Sequence, residues 1–263
     1  MRATAGILLR TCWFQYRALF NWGTPIGYVS YKLLQPVAQI LFFTELGTFA
    51  TGPSTALYFA LGNAMQLSAI NGIFGVVQTV ANERQFGTLP LLLGSPQNRL
   101  VVFFGRTLVH VVDGVVAVLV GLLIATVIFG LDLAHADLVG LAACVLLVPI
   151  TTSGLGLMFG SVGLITRDVM VIGNIVYYMM LVICGVNFPV ASLPGWLQVV
   201  AYSLPLTRGV EAARMAVAGV NFGALVPWLA GELAVGAVYG LVGFALFELL
   251  ESRARRGGLQ EAF

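Results

Sequence analysis

Six apolar runs separate this chain's basic residues, and ten of its thirteen Lys and Arg fall on one side of the membrane those runs would cross. A helix needs about 20 apolar residues to cross a hydrocarbon core. The runs are Ile26–Phe49, Thr55–Val80, Leu100–Phe129, Leu138–Ile165, Val169–Phe188 and Val226–Leu250. Arg2, Arg10 and Arg17 precede the first. Arg84, Arg99 and Arg106 lie between the second and third or at their ends. Arg167 separates the fourth from the fifth, and Arg253, Arg255 and Arg256 follow the sixth. Lys and Arg resist translocation, so they collect in cytoplasmic loops. The chain is therefore expected to be an all-α membrane protein with six transmembrane helices and both termini in the cytoplasm.

Composition agrees. Hydrophobic residues make up 59% of the chain and charged residues 9%, against about 25% charged in soluble domains. The apolar runs leave no room for a separate soluble unit, so residues 1–263 read as one transmembrane domain. The net charge of +2 is spread over the inner loops and offers no basic patch for nucleic acid. Lys32 is the only lysine and stands in Tyr31-Lys32-Leu33. A phosphate-binding loop needs Gly-Lys-Ser/Thr, so no ATP hydrolysis is expected from this chain alone. Cys12, Cys144 and Cys184 lack metal-ligand spacing and read as free thiols. Arg10 interrupts the short apolar stretch Ala5–Leu9, which reads against a signal peptide.

Residues 1–22 predict an interfacial helix. Arg2, Arg10 and Arg17 share a sector of its wheel, with Trp13, Phe14, Tyr16 and Phe20 close by. Arginines can then reach headgroups while rings sit at the boundary. Thr166-Arg167-Asp168 predicts a very short inner turn, because one helix through it would bury an Arg and an Asp in lipid.

Two connections carry more information. In the inner one, residues 81–98, Thr88 can cap a short helix, Pro90 is tolerated in its first turn, and Gly94 and Pro96 stop it. That exposes Leu91, Leu92 and Leu93, which want either a partner surface or the membrane interface. The outer one, residues 189–220, is apolar but too broken to span. Ser192 can cap a helix starting near Leu193-Pro194-Gly195-Trp196, and Pro205 starts a second, Leu206–Ala218. Arg208, Glu211 and Arg214 are spaced three apart and so neighbour one another on it. Two half-length helices of this kind predict re-entrant segments, allowed only where protein or water covers the irregular backbone.

These two connections carry a resemblance. Glu83-Arg84-x-x-Gly87-Thr88-Leu89, followed by Leu91-Leu92 and Ser95-Pro96, resembles the loop after the second span of ABC transporter permeases of the type-2 exporter family. Phe188-Pro189, Leu193-Pro194, then Pro205-Leu206-Thr207-Arg208 and Arg214 resemble that family's C-terminal signature. The resemblance implies half of a membrane assembly, in which two six-span units pair and two ATP-binding subunits dock from the cytosol. The partner permease is a second copy or a paralogue. ATP and Mg belong to the ATP-binding subunits, and no cofactor is implied for this chain. Glu83, Arg84, Gly87, Thr88, Leu89, Leu91 and Leu92 would belong to the coupling helix seated in the ATPase. The outer helices would cap the exit. The family often has an acidic residue after Gly-Thr-Leu, where this chain has Pro90.

Polar residues inside the runs usually line something. On the first span Tyr28, Tyr31, Gln35 and Gln39 recur at helical spacing. On the second, Asn63, Gln66, Asn71 and Gln78 share a broad face, and on the fifth Asn174, Tyr177 and Tyr178 cluster. They read either as a lining for amphipathic cargo or as helix–helix hydrogen bonds. The resemblance favours the second and fifth spans as cavity walls. Arg106, His110 and Asp113 share one face of the third span and read as a paired structural cluster, a proton-linked set or anchors at the membrane surface. Glu232 faces a cavity or reaches headgroups. Gly236 and Gly240 have the small-xxx-small spacing of close helix packing.

The expected function is a permease moving a drug, lipid or lipid-linked glycan outward by alternating access, in contact with membrane lipids of a bacterial inner membrane. The short outer segments fit the daunorubicin-permease kind. The alternatives are a passive channel or assembly factor, or an intramembrane enzyme. The last has little support, since His110 and His135 fall on opposite sides of the membrane and no His/Glu pair has metal spacing.

Overall fold

A computed structural model of the chain describes residues 10–14, 16–17, 25–85, 87, 99–166 and 168–256. Every element among them is helical. We label them α1 (Pro25–Thr51), α2 (Ala56–Ala69), α3 (Val76–Gln85), α4 (Arg99–Phe129), α5 (Leu138–Val162), α6 (Val169–Ile183), α7 (Gly195–Ser203), α8 (Thr207–Val217) and α9 (Phe222–Arg256). A π-helical turn, Ile70–Gly75, joins α2 to α3 in one continuous rod. Residues 10–14 and 16–17 are helical, which covers only the middle of the predicted interfacial helix.

Five helical stretches are long and apolar enough to cross a bilayer: Lys32–Thr51, Pro53–Thr79, Phe104–Phe129, Leu138–Val162 and Phe222–Ser252. The fifth predicted span falls short. Its apolar run continues to Phe188, but α6 has 15 residues, about 22 Å of helix against a core of about 30 Å. The helix stops because Gly185 takes φ 74, a left-handed conformation that suits glycine. The turn at Thr166 and Asp168 is present: α5 ends at Val162 and α6 begins at Val169.

Packing follows side-chain size. The α2 rod is central, with every residue from Phe59 to Ala69 buried. Ala60, Gly62, Ala64 and Gly72 let its neighbours approach, and a methyl group on Gly121 of α4 would already lie 2.9 Å from the Ala64 backbone. Helix α5 packs along α9 through glycines. A methyl group on Gly154 would lie 2.8 Å from the Gly236 carbonyl and 3.1 Å from the Gly240 nitrogen. The outward face of α4 carries Phe104, Leu108, Val112, Val116, Leu119, Leu123 and Val127, all exposed and three or four residues apart. Such a stripe suits lipid, which is as apolar as leucine.

Helices α7 and α8 form a hairpin, and α8 runs along α5. At its far end, the Ala216 carbonyl accepts from the Asp137 amide at 2.8 Å, level with the start of α5. At its near end, α8 meets Glu232, which also bonds Thr151. Thr151 lies 13 residues beyond Leu138, about 20 Å along the helix. The tip is sealed in protein: Leu206 and Thr207 are fully buried. Its backbone thus meets protein donors and acceptors, as irregular backbone at such depth must.

Candidate functional site

The hairpin motif assembles around three charges. Thr207 Oγ1 donates to the Ala201 carbonyl at 2.6 Å, closing α7 onto α8 across Pro205. Arg208 donates to the Tyr202 carbonyl and lies over the Tyr202 ring, 5.4 Å from its centroid. The Tyr202 hydroxyl donates to both oxygens of Glu211, at 3.1 and 3.2 Å. Arg208 and Glu211 therefore grip the same residue of α7. Arg214, one turn further, points elsewhere. It donates to the carbonyls of Gly185 (2.6 Å), Val186 (2.9 Å) and Tyr58 (3.0 Å). Gly185 and Val186 lie past the break of α6, where the helix no longer pairs their carbonyls, and Tyr58 lies in the first turn of α2.

Some local expectations need correction. Ser192 does not cap α7: its hydroxyl donates back to Pro189, and the residue before the helix is Pro194, whose side chain has no acceptor. Pro205 lies in the buried tip, and α8 starts at Thr207, one residue after the predicted Leu206. Glu232 takes neither predicted place. It is fully buried and accepts from Thr151 Oγ1 at 2.7 Å, the Leu206 amide at 2.6 Å and the Gly209 amide at 3.1 Å.

The polar residues of the spans separate into paired and unpaired. Gln39 accepts from the Tyr177 hydroxyl at 3.1 Å. Asn63 donates to Asn187 at 2.8 Å and to the Phe59 carbonyl. Asn71 accepts from Lys32 at 3.0 Å. Gln35 is half-buried. Gln66 is fully buried, and neither atom of its amide has a partner. Asn63 Oδ1 and Gln39 Nε2 are also buried without one. Asn174 and Tyr178 face outward, lining an open apolar groove along α6 with Val171, Ile175, Met179 and Val182.

Towards the arginine-rich end, Lys32 of α1 pairs with Asp113 of α4. His110 shares a hydrogen bond of 3.2 Å with Thr79, and the Gly75 backbone lies against its ring. The predicted cluster on one face of the third span is thus tied across helices, to α1 and to the α2–α3 rod. Sequence reasoning weighed Lys32 only as a phosphate-loop candidate. The signal that finds it is general: a lysine in an apolar run needs a counter-ion. Asn187 and Tyr58 were not singled out either, because only the tertiary fold brings them to Asn63 and Arg214.

The coupling residues lie at the edge of the described structure. Glu83 and Arg84 belong to α3, which runs on past Val80 to Gln85. Gly87 takes φ 67, a left-handed turn just after the helix. Thr88, Leu89, Leu91 and Leu92 lie outside the described residues. Among the described residues, no three His, Cys, Asp or Glu side chains are grouped to hold a metal ion.

A bundle of long apolar helices, with a hairpin whose tip is buried among them, describes a membrane domain. A family model described as ABC-2 type transporter matches residues 10–217, from the N-terminal helix to the end of α8. No curated protein matches the chain.

Proposed function

Since the chain belongs to the ABC-2 type transporter family, we propose that it is the permease subunit of an ATP-driven exporter, moving a hydrophobic or amphipathic cargo outward by alternating access. Family membership carries this reading. Two copies of a cytosolic ATP-binding subunit supply ATP, Mg and hydrolysis, and a second permease, a copy or a paralogue, completes the assembly. The loop that includes Glu83, Arg84, Gly87, Thr88, Leu89, Leu91 and Leu92 receives the ATPase movement.

Cargo passes beside α2 and α6. The support is the set of amide atoms that the chain itself leaves unpaired: both of Gln66, Asn63 Oδ1 and Gln39 Nε2. A buried polar atom without a partner costs about 1–3 kcal/mol, so a chain that keeps several has a use for them. Gln35, Asn71 and Tyr177 extend the same path, and Asn174 and Tyr178 line its outward groove along α6. An apolar route with few polar anchors suits drugs, lipids or lipid-linked glycans.

The test is reconstitution in liposomes with a cytosolic ATP-binding subunit that co-purifies with the chain. ATP hydrolysis should require that subunit, and export of a fluorescent amphipathic cargo should require ATP. Cargo flux without ATP would instead make the chain a channel, and hydrolysis by the purified chain alone would overturn the reading.

A further inference from the structure

Glu232 lies ten residues into α9, where a carboxylate needs a reason to be. Three donors converge on it from two other elements: Thr151 Oγ1 from α5, and the amides of Leu206 and Gly209 from the start of α8. The first turn of a helix has N–H groups that the helix itself cannot satisfy, and its positive end favours an anion. Those groups are usually capped by a residue of the same segment. Here the capping acid comes from another helix, so the cap is also a tie between α8 and α9.

Two further observations concern the same short helix. Leu206 takes φ 89, a region that non-glycine residues rarely enter. In that conformation its amide bonds the Glu232 carboxylate. A backbone held out of its preferred region persists only where its surroundings fix it, and such places cluster at switch regions. At the other end of α8, Arg214 is fastened to Tyr58, Gly185 and Val186. One 11-residue helix is therefore held at both ends by charge, to different parts of the bundle.

We infer that Glu232 is a positioning residue of transport. It docks the buried end of α8 on α5 and α9. When its contacts loosen, the hairpin tip swings away about the Arg214 end and opens the bundle beside Thr151. The inference rests on the export reading above. Only an acceptor-rich group fits the role, because N–H and O–H donors approach both carboxylate oxygens. Glu232→Gln keeps the volume but turns one acceptor into a donor facing donors. Glu232→Asp keeps both acceptors on a shorter stem.

The experiment uses a reporter cysteine, Leu204→Cys at the hairpin tip, in a chain cleared of Cys12, Cys144 and Cys184. The chain is reconstituted with its ATP-binding subunit in liposomes. Ala125→Cys, in the core of α4, serves as the control position. Both reporters should resist N-ethylmaleimide in the parent. With Glu232→Gln the Leu204 reporter should label about tenfold faster, as expected for losing a hydrogen bond to a charged group. Ala125 should stay protected, and export should fall while ATP hydrolysis continues. Glu232→Asp should recover part of the protection. Unchanged labelling at Leu204 overturns the inference, and so does an equal rise at both positions, which would mean general loosening. If Glu232→Gln fails to assemble, Thr151→Val removes one donor at constant shape. A rise confined to Leu204 then supports the tie, and no rise overturns it. If labelling depends on Glu232 but the parent exports nothing with ATP, the tie stands and the export reading falls.

Discussion

The guanidinium of Arg214 lies over the Tyr58 ring, its Cζ 3.4 Å from the ring centroid. The same group donates to three carbonyls at the break after α6 and the start of α2. A planar fork with five donors suits this place, and lysine, a point charge with three, does not.

Arg214→Ala should leave the Val186 carbonyl without its donor and the Gly185 carbonyl with only the Tyr58 hydroxyl, and lower stability by about 1.5–3 kcal/mol, the scale of a lost hydrogen bond to a charged group. Arg214→Lys should recover only part. Tyr58→Phe keeps the ring and should cost under about 1 kcal/mol. Thermal unfolding in detergent, followed by tryptophan fluorescence, gives the order; equal losses for Arg214→Lys and Tyr58→Phe would contradict it.

The Lys32–Asp113 pair should behave as buried ion pairs do. Removing one partner leaves a charge in a low-dielectric site and costs about 3–5 kcal/mol. Lys32→Met or Asp113→Leu alone should therefore lower the melting temperature sharply, and the double substitution should restore most of it. A double variant as unstable as the worse single one would show that the pair is not the main tie between α1 and α4.

Gln66→Leu separates stability from transport. The apolar replacement removes two unpaired buried atoms and should raise stability by about 1–3 kcal/mol. If Gln66 meets cargo, the stabilised variant should nonetheless export less or change its cargo range, as should Tyr178→Ala. Higher stability with unchanged export in Gln66→Leu would take Gln66 out of the route.

In the loop proposed to meet the ATPase, Leu91→Asp with Leu92→Asp should break coupling while the spans still insert, because burying a charge in an apolar groove is costly. Partner pull-down and ATP-driven export should both fall. Normal values for both would assign the leucines another role.

Single cysteines give the topology. Gln97→Cys should label with an impermeant thiol reagent only in inside-out vesicles, whereas His135→Cys and Gly219→Cys should label in intact cells. Labelling of position 97 from outside would reverse the arginine argument.

The sequence by itself determined the class of fold. In lipid each backbone group must bond within its own helix, so apolar runs of sufficient length can be counted without knowing their neighbours. Arginines give each run an expected orientation, which the cysteine labelling tests. The same local logic found the break at Thr166 and Asp168 and the two half-helices after Pro189, since prolines, glycines and charges act on the segment that holds them. It overran at the fifth span, because hydropathy continues to Phe188 while a left-handed Gly185 ends the helix.

Only the tertiary structure decided which polar groups meet. Asn63 and Asn187 stand 124 residues apart, Lys32 and Asp113 81 apart, and Thr151 and Glu232 81 apart. Partners at such separations depend on how each helix is rotated and how closely glycines such as Gly154 and Gly236 let two axes approach. From the sequence, Glu232 was a lone acid with two open explanations. Once α8 folds back along α5, the acid is the cap of a helix that begins 25 residues before it. A membrane makes helices legible one by one because their backbone bonds are internal. Their side-chain pairs belong to the packing, which no single run specifies.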